Sequence, residues 1–342
     1  MSETALSNIN FHALAQPLHD WYLLKKRQLP WRDNRAAYRI WISEIMLQQT
    51  TVQAVIPYFE RFIIRFPDLQ TLANSDIEEV LQLWSGLGYY SRARNLHKAA
   101  QLFVENGGIP STFQELLKYP GLGDYTSRAI SSIAFDEKVG VLDGNVIRIL
   151  TRLLNYKQKW WKTEHKKYLQ GIADSLNQFE FPSSEVNQAL MELGAMVCLP
   201  QSPLCNQCPW SDNCLAQSQK SISEVPLKRK KTPSQIWYWQ PEIYSRKNQV
   251  LLEKNTKLPF LKNQWLLPGK CSKHEEKPKD YTFKHFITRY SIYVKPKQYH
   301  GIEALQLNSN QQWFDIDSIK KVSPSSLLQK CLTTHKNIEQ KN

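Results

Sequence analysis

The chain has 342 residues, 42% hydrophobic and 22% charged, with 44 Lys and Arg against 31 Asp and Glu and a formal net charge of +13. That composition excludes a disordered or fibrous chain and allows two domains with separate cores, while the basic excess points to a polyanion such as DNA or RNA as partner. The N-terminal residues mix polar and apolar types without a signal-peptide layout, and no run reaches the roughly 18 apolar residues of a membrane span, so a reducing compartment and no membrane are expected.

Up to about Leu215 the periodicity is helical, as in WISEIMLQQTTVQAVIPYFERFIIRF and DIEEVLQLWSGL, which place apolar residues three and four apart. Pro and Gly punctuate this region at Phe66-Pro67, Gly86-Leu87-Gly88, Gly107-Gly108, Pro120-Gly121 and Phe181-Pro182, which predicts a bundle of short helices. Glu44 stands among apolar neighbours in Trp41-Ile-Ser-Glu-Ile-Met-Leu47. It is either an exposed residue on an amphipathic helix or a desolvated acid with a raised pKa, which would suit a general acid.

Tyr119-Pro-Gly-Leu-Gly-Asp-Tyr-Thr126 leads into the helical pattern SRAISSIAF. A Gly121-x-Gly123 turn opening onto a helix either joins two helices tightly or brings backbone N–H groups and a helix N-terminus to an anion such as a DNA phosphate. In Val141-Leu-Asp-Gly-Asn-Val-Ile-Arg148, Asp143 or Asn145 is a candidate helix cap. Cys198, Cys205, Cys208 and Cys214 are spaced C-x6-C-x2-C-x5-C, a set of soft thiolates that satisfies either a tetrahedral zinc or an iron–sulfur cube. Cys271 and Cys331 are isolated and are read as ordinary residues.

Beyond the last clustered thiol, AQSQKSISEVPLKRKKTPSQ is polar and basic and reads as a linker over 219–235, with the Lys228-Arg229-Lys230-Lys231 run solvated within it. From Ile236 the texture changes to short aromatic and β-branched segments, IWYWQPEIYS, NQVLLEK, FITRYSIYVK and QWFDI, which predict a smaller α+β domain over 236–342.

The first 218 residues resemble the MutY-type adenine DNA glycosylases, within the endonuclease III superfamily of helix–hairpin–helix glycosylases. The resemblance rests, in order, on LPWR (29–32), WISEIMLQQT (41–50), VIPYFERF (55–62), WSGLGYYSRARNLHKAA (84–100), PGLGDYT (120–126), LDGNVIRIL (142–150), NQALMELGAMVC (187–198) and the cysteine cluster. It implies a mainly α, two-lobed glycosylase domain with an iron–sulfur loop, the four cysteines holding a [4Fe–4S] cluster. It also implies that Glu44 protonates a flipped adenine and assists water addition, while Asp143 stays ionised beside an oxocarbenium-like sugar, a pairing of two carboxylates that breaking an N-glycosidic bond needs.

By the same resemblance Tyr125 and Asn145 line the reacting sugar, and Leu29, Trp31, Arg32, Leu47 and Gln188 form an adenine pocket. Gln49, Leu87 and Tyr89 enter the duplex where the base leaves, since flipping costs a few kcal/mol of stacking. Bifunctional relatives carry a lysine where this chain has Tyr125, so no Schiff base forms there and little lyase activity is expected.

The second domain resembles the family's Nudix-like domain, which recognises 8-oxoguanine. Trp265-Leu-Leu-Pro-Gly269 is similar to a W-x-F-P segment, and Ile287-Thr288-Arg289 stands where the family has Phe-Ser-His, so Thr288 keeps a hydroxyl and Arg289 a donor while the aromatic is missing. No Glu-rich Nudix box is present, so nucleotide hydrolysis is not expected.

The expectation is therefore a monomeric, monofunctional enzyme that removes adenine opposite 8-oxoguanine or guanine from double-stranded DNA during base-excision repair. Its expected home is a bacterial cytoplasm at the nucleoid, with a nuclear or organellar setting as the alternative. The rival readings are a non-catalytic lesion-binding protein and a glycosylase of the same superfamily with another mismatch preference.

Overall fold

A computed structural model describes residues 11–230, 233–300, 306–323 and 325–339. The chain forms two compact units, Met1–Arg229 and Lys230–Asn342. The first contains helices α1 (Phe11–Lys25), α2 (Ala37–Leu47), α3 (Val52–Arg65), α4 (Leu69–Ala73), α5 (Ile77–Leu83), α6 (Ser91–Glu105), α7 (Phe113–Leu116), α8 (Asp124–Phe135), α9 (Gly144–Leu153), α10 (Thr163–Leu176), α11 (Ser183–Met196) and α12 (Leu215–Ser218).

Two hydrophobic cores organise these helices into two lobes. One gathers Trp41, Ile45, Phe59, Phe62, Trp84 and Phe103 from α2 to α6 with the loop residues Leu29 and Trp31. The other gathers Leu14 and Leu18 of α1 with the apolar faces of α9, α10 and α11 and Trp210. The N-terminal helix thus completes the lobe built from the later part of the chain. Helices α2 and α8 serve both cores: Ile40 and Ile133 face one, Trp41 and Ile130 the other. A side chain one turn after Ile40 on α2 is directed to the seam, because residues four apart share a helix face. Glu44 holds that position.

The long periodic run beginning at Trp41 is not one helix. It breaks at Gln48–Thr51, where Gln49 adopts φ +58°, and resumes as α3. Before α8, Gly121 takes φ +81° and would bring a Cβ to 2.9 Å from Asn95 Cβ, so only glycine fits that turn without displacement. Leu122 is buried between the exposed Gly121 and Gly123, which fixes the hairpin while leaving both glycines at the surface.

The segment predicted as a linker over 219–235 is only partly one. Ser221 and Val225 are buried, Arg152 Nε donates to Val225 O, and Trp160 Nε1 donates to Leu227 O at 3.0 Å, so 219–227 is stitched to the first unit. The reason is that Val225 is an apolar residue with a covered site to fill, which a composition window dominated by Lys and Ser obscures. Lys228, Arg229 and Lys230 are exposed, and Lys231 of the basic run lies outside the described residues.

The second unit is built on β1 (Gln235–Arg246), with β2 (Gln249–Lys254), β3 (Trp265–Leu266), β4 (Gly269–His274), β5 (Phe283–Ile287), β6 (Tyr290–Val294), β7 (Lys297–His300), β8 (Gln311–Asp315), and helices α13 (Ile319–Val322) and α14 (Ser326–Glu339). Strand β1 changes partners midway. Its first half lies between antiparallel β4 and parallel β6, and its second half between antiparallel β2 and parallel β7. Pro241 stands at the changeover, where a residue without an N–H does least harm to a ladder. No helix among the described residues is long and apolar enough to cross a membrane.

Limited trypsin digestion should cut first within Lys228–Lys230 and leave two fragments, each retaining its own cooperative thermal transition. Early cleavage between Ser221 and Leu227 would show that this segment is not packed as described.

Candidate active site

The seam between the two lobes encloses a cavity of about 200 Å³, many times the 10–15 Å³ that one water needs. Its lining brings together nine residues singled out from the sequence: Leu29, Trp31, Arg32, Glu44, Leu47, Tyr125, Asp143, Asn145 and Gln188. They come from the loop before α2, from α2 itself, from the starts of α8 and α9, and from α11, so only tertiary folding makes them neighbours.

Glu44 is 4% exposed, and Tyr125 donates its hydroxyl hydrogen to Glu44 Oε2 at 3.0 Å. Burial raises the Glu44 pKa to about 7 against that opposing hydrogen bond, with the nearby Asp143 adding repulsion and Arg32 offsetting it. The carboxyl is therefore available as a proton donor near neutrality. Burial and the adjacent carboxylates push the Tyr125 phenol well above its ordinary pKa, so it stays a donor.

Asp143 is both a cap and a site residue. Its Oδ1 accepts from Val146 N at 2.7 Å, closing the first turn of α9, and its Oδ2 accepts from Asn145 Nδ2 at 3.1 Å. Burial raises its pKa too, so both acids are pushed the same way by desolvation. What separates the two acids is the opposition to burial. Glu44 meets one phenol and the charge of Arg32, whereas Asp143 meets backbone N–H groups, the Asn145 amide and the charge of Arg148.

Asn145 is held from the other side as well: Arg148 Nη2 donates to Asn145 Oδ1 at 2.8 Å and to Gly194 O at 2.8 Å, while Arg148 Nε donates to Cys198 O at 2.7 Å. Gly194 allows this approach, since a Cβ there would lie 2.5 Å from Asn145 Cβ.

Gln188 is orientated by two partners. Arg32 Nε donates to its Oε1 at 2.9 Å, and its Nε2 donates to Ser184 O at 3.0 Å. Arg32 also donates to Glu192 Oε1 at 2.8 Å, and Arg27 grips both oxygens of the same carboxylate. Burial acts to raise the Glu192 pKa, but the two guanidinium groups outweigh it and hold it below the ordinary range. Sequence reading missed Arg27 and Glu192. Glu192 carried a usable signal, since it follows Gln188 by one helical turn; Arg27 carried none.

The remaining singled-out residues lie away from the cavity. Gln49 and Tyr89 are exposed in turns, with φ +58° and +50°, but Leu87 is only 7% exposed and packs in the core of the first lobe. Thr288 and Arg289 form the exposed two-residue tip of the β5–β6 hairpin, where Ile287 pairs with Tyr290. Thr288 adopts φ +50°, and Arg289 lies over the Tyr290 ring with Nε and Nη2 3.2 Å from its hydroxyl.

Cys198, Cys205, Cys208 and Cys214 line a second, smaller cavity beside Ile149, Leu153, Leu193, Val197 and Trp210. No three His, Cys, Asp or Glu side chains among the described residues are set around a single ion. Arg152 Nη1 lies 3.4 Å from Cys198 Sγ and binds Leu199 O, and Trp210 Nε1 donates to Leu14 O, tying the thiol loop to α9 and α1. Burial pushes the Cys208 thiol up to about 11, with the neighbouring sulfurs adding to it. Four soft donors around one apolar space, with a guanidinium at hand, suit a thiolate-held metal group whose net charge is negative.

Two outcomes follow from this geometry. Because the folded-state pKa of Glu44 lies above its ordinary 4.5, at about 7, the native acid is favoured below about pH 4.5 and that advantage is lost as pH rises through 7. Glu44→Gln should therefore gain on the order of 3 kcal/mol over wild type between pH 5 and 8 in urea unfolding; a pH-independent difference would mean an ordinary carboxyl. Gly194→Ala should cost about 1–3 kcal/mol through overpacking against Asn145, and an unchanged thermal midpoint would contradict the close contact.

Comparison with known proteins supplies the lineage. Residues 42–174 match the model of the HhH-GPD superfamily of base excision DNA repair proteins. An adenine DNA glycosylase of Buchnera aphidicola from Schizaphis graminum is 32% identical over 96% of this chain and 100% of its own length. The human adenine DNA glycosylase is 46% identical over 59% of this chain and 39% of its own. Among solved structures, a thermostable thymine-DNA glycosylase superposes with a TM-score of 0.55 at 24% identity, covering 61% of this chain and 97% of that one, a likeness of fold. The chain belongs to the adenine DNA glycosylases of the helix–hairpin–helix superfamily, and it is a DNA N-glycosylase.

Proposed function

We propose that the enzyme hydrolyses the N-glycosidic bond of adenine mispaired with 8-oxoguanine or guanine, acting as a monomer on double-stranded DNA and with little or no lyase activity. The observation that carries this reading is the buried Glu44 carboxyl held by Tyr125 across the seam from the capped Asp143, in a cavity whose lining includes no lysine among the described residues. A flipped adenine takes the Glu44 proton on a ring nitrogen as the glycosidic electron pair passes to the base. Asp143 faces the cationic sugar. Water then adds to the anomeric carbon and returns a proton to the Glu44 carboxylate, restoring the acid.

Arg32 and Gln188 present donors and an acceptor to the adenine edge, while Leu29, Trp31 and Leu47 cover its faces. The four cysteines would hold a [4Fe–4S] cluster, which when bound cross-links the loop after α11. The exposed Thr288–Arg289 tip is proposed to meet the base opposite, and the neighbouring Phe286, 63% exposed on the same hairpin, offers an aromatic in place of the one missing at 287.

Single-turnover excision on duplexes with adenine opposite 8-oxoguanine, guanine, cytosine or thymine should be fastest opposite 8-oxoguanine. It should fall by about 10²–10⁴-fold in Glu44→Gln and be lost in Asp143→Asn. Wild-type excision should decline above about pH 7 as Glu44 ionises. Borohydride should trap no covalent complex; a stoichiometric adduct would refute the hydrolytic mechanism. Thr288→Ala with Arg289→Ala should narrow the preference for 8-oxoguanine by about tenfold, the worth of one or two hydrogen bonds. Wild type should carry about four irons and four sulfides per chain, and Cys208→Ser should lose them.

A further inference from the structure

Arg92, on the first turn of α6, is 8% exposed, yet its charge is met by main-chain oxygens and not by a carboxylate among the described residues. Its Nη1 donates to Ile45 O at 2.8 Å, Met46 O at 3.1 Å and Gln48 O at 2.7 Å. Its Nη2 donates to Leu87 O at 3.1 Å and Gly88 O at 3.2 Å. The guanidinium plane also lies over the rings of Trp84 and Tyr89. Burying a guanidinium with no counter-charge is costly, the more so because Nε has no hydrogen-bond partner among the described residues, so a position that needed only packing would suit an apolar residue better.

The five oxygens belong to two separate turns. One ends the helix that carries Glu44, whose last carbonyls have no partner within the helix, and leads directly into Gln49 at φ +58°. The other is the loop after α5, where Gly86, Gly88 and Tyr89 take φ +102°, +72° and +50°. A non-glycine residue in that region persists only where its surroundings impose it. Gln49 and Tyr89 are exposed, and each directly follows a carbonyl bound by Arg92. Nη1 and Nη2 belong to one rigid plane, so the two turns are fixed relative to each other and to α2.

We infer that Arg92 is a positioning residue that locks the Gln49 and Tyr89 turns into one preformed wedge, so that both side chains enter the duplex together as the base leaves the stack. This rests on the reading of Gln49 and Tyr89 as duplex-entering residues, but not on which base is excised. Arg92→Lys keeps the charge and loses the fork; Arg92→Met loses both.

The test uses the full chain and a duplex with 2-aminopurine in place of the mispaired adenine, whose fluorescence rises on unstacking. At saturating protein, and normalised to the fraction of DNA bound so that a partly unfolded sample does not mimic the effect, wild type should raise the signal. Both variants should lose at least fivefold of that rise, while their affinity for undamaged duplex stays within threefold of wild type. Variants that open the duplex as fully as wild type when bound, or a wild type that does not open it, overturn the proposal. Wild-type opening lost in both variants, even with no excision of adenine from any mispair, supports Arg92 while sinking the adenine reading.

Discussion

Everything at the site depends on keeping one carboxyl buried. The Glu44 pKa is raised to about 7 because two hydrophobic cores meet around α2, and because the side chain it hydrogen-bonds among the described residues is a phenol that stays protonated. Tyr125 is a neutral donor, so it holds the Glu44 carboxyl without supplying the positive charge that would favour its ionised form. Asp143 is half-buried, but at a helix N-terminus, where N–H groups and the macrodipole favour the charged form.

Around that pair the fold uses arginine where other side chains would be cheaper. Arg27 and Arg32 converge on Glu192 to orientate Gln188. Arg148 spans Asn145, Gly194 O and Cys198 O, so the reacting end of α9 and the start of the thiol loop share one guanidinium. Arg152 carries the same theme to Leu199 and Pro200, and Arg92 to the ends of two turns. A planar fork with five donors can satisfy several carbonyls at fixed angles, which a lysine cannot. Irregular loops are thereby held in place without regular secondary structure.

The second unit answers to a different constraint. Thr288 and Arg289 occupy the tip of a tight hairpin, a place where side chains project from the sheet and tolerate exchange. The backbone at this tip is set by the pairing of Ile287 with Tyr290.

What the sequence determined by itself was local or chemical: helical periodicity up to Leu215, the β texture after Ile236, the turn at Gly121, a helix cap at Asp143 or Asn145, the four thiols, and through ordered motifs the family. Those features are legible because each is fixed by neighbours within a few residues. The tertiary structure decided the rest. Glu44 read equally well as exposed or buried until α8 and α9 closed over it; Leu87 proved a core residue; 219–227 packed where composition suggested a linker. The partners that orientate the site, Arg27, Glu192, Arg148 and Arg92, left almost no trace in the chain's own order. A buried arginine has the same local sequence signature as a solvated one, and only the carbonyls delivered from distant segments distinguish them.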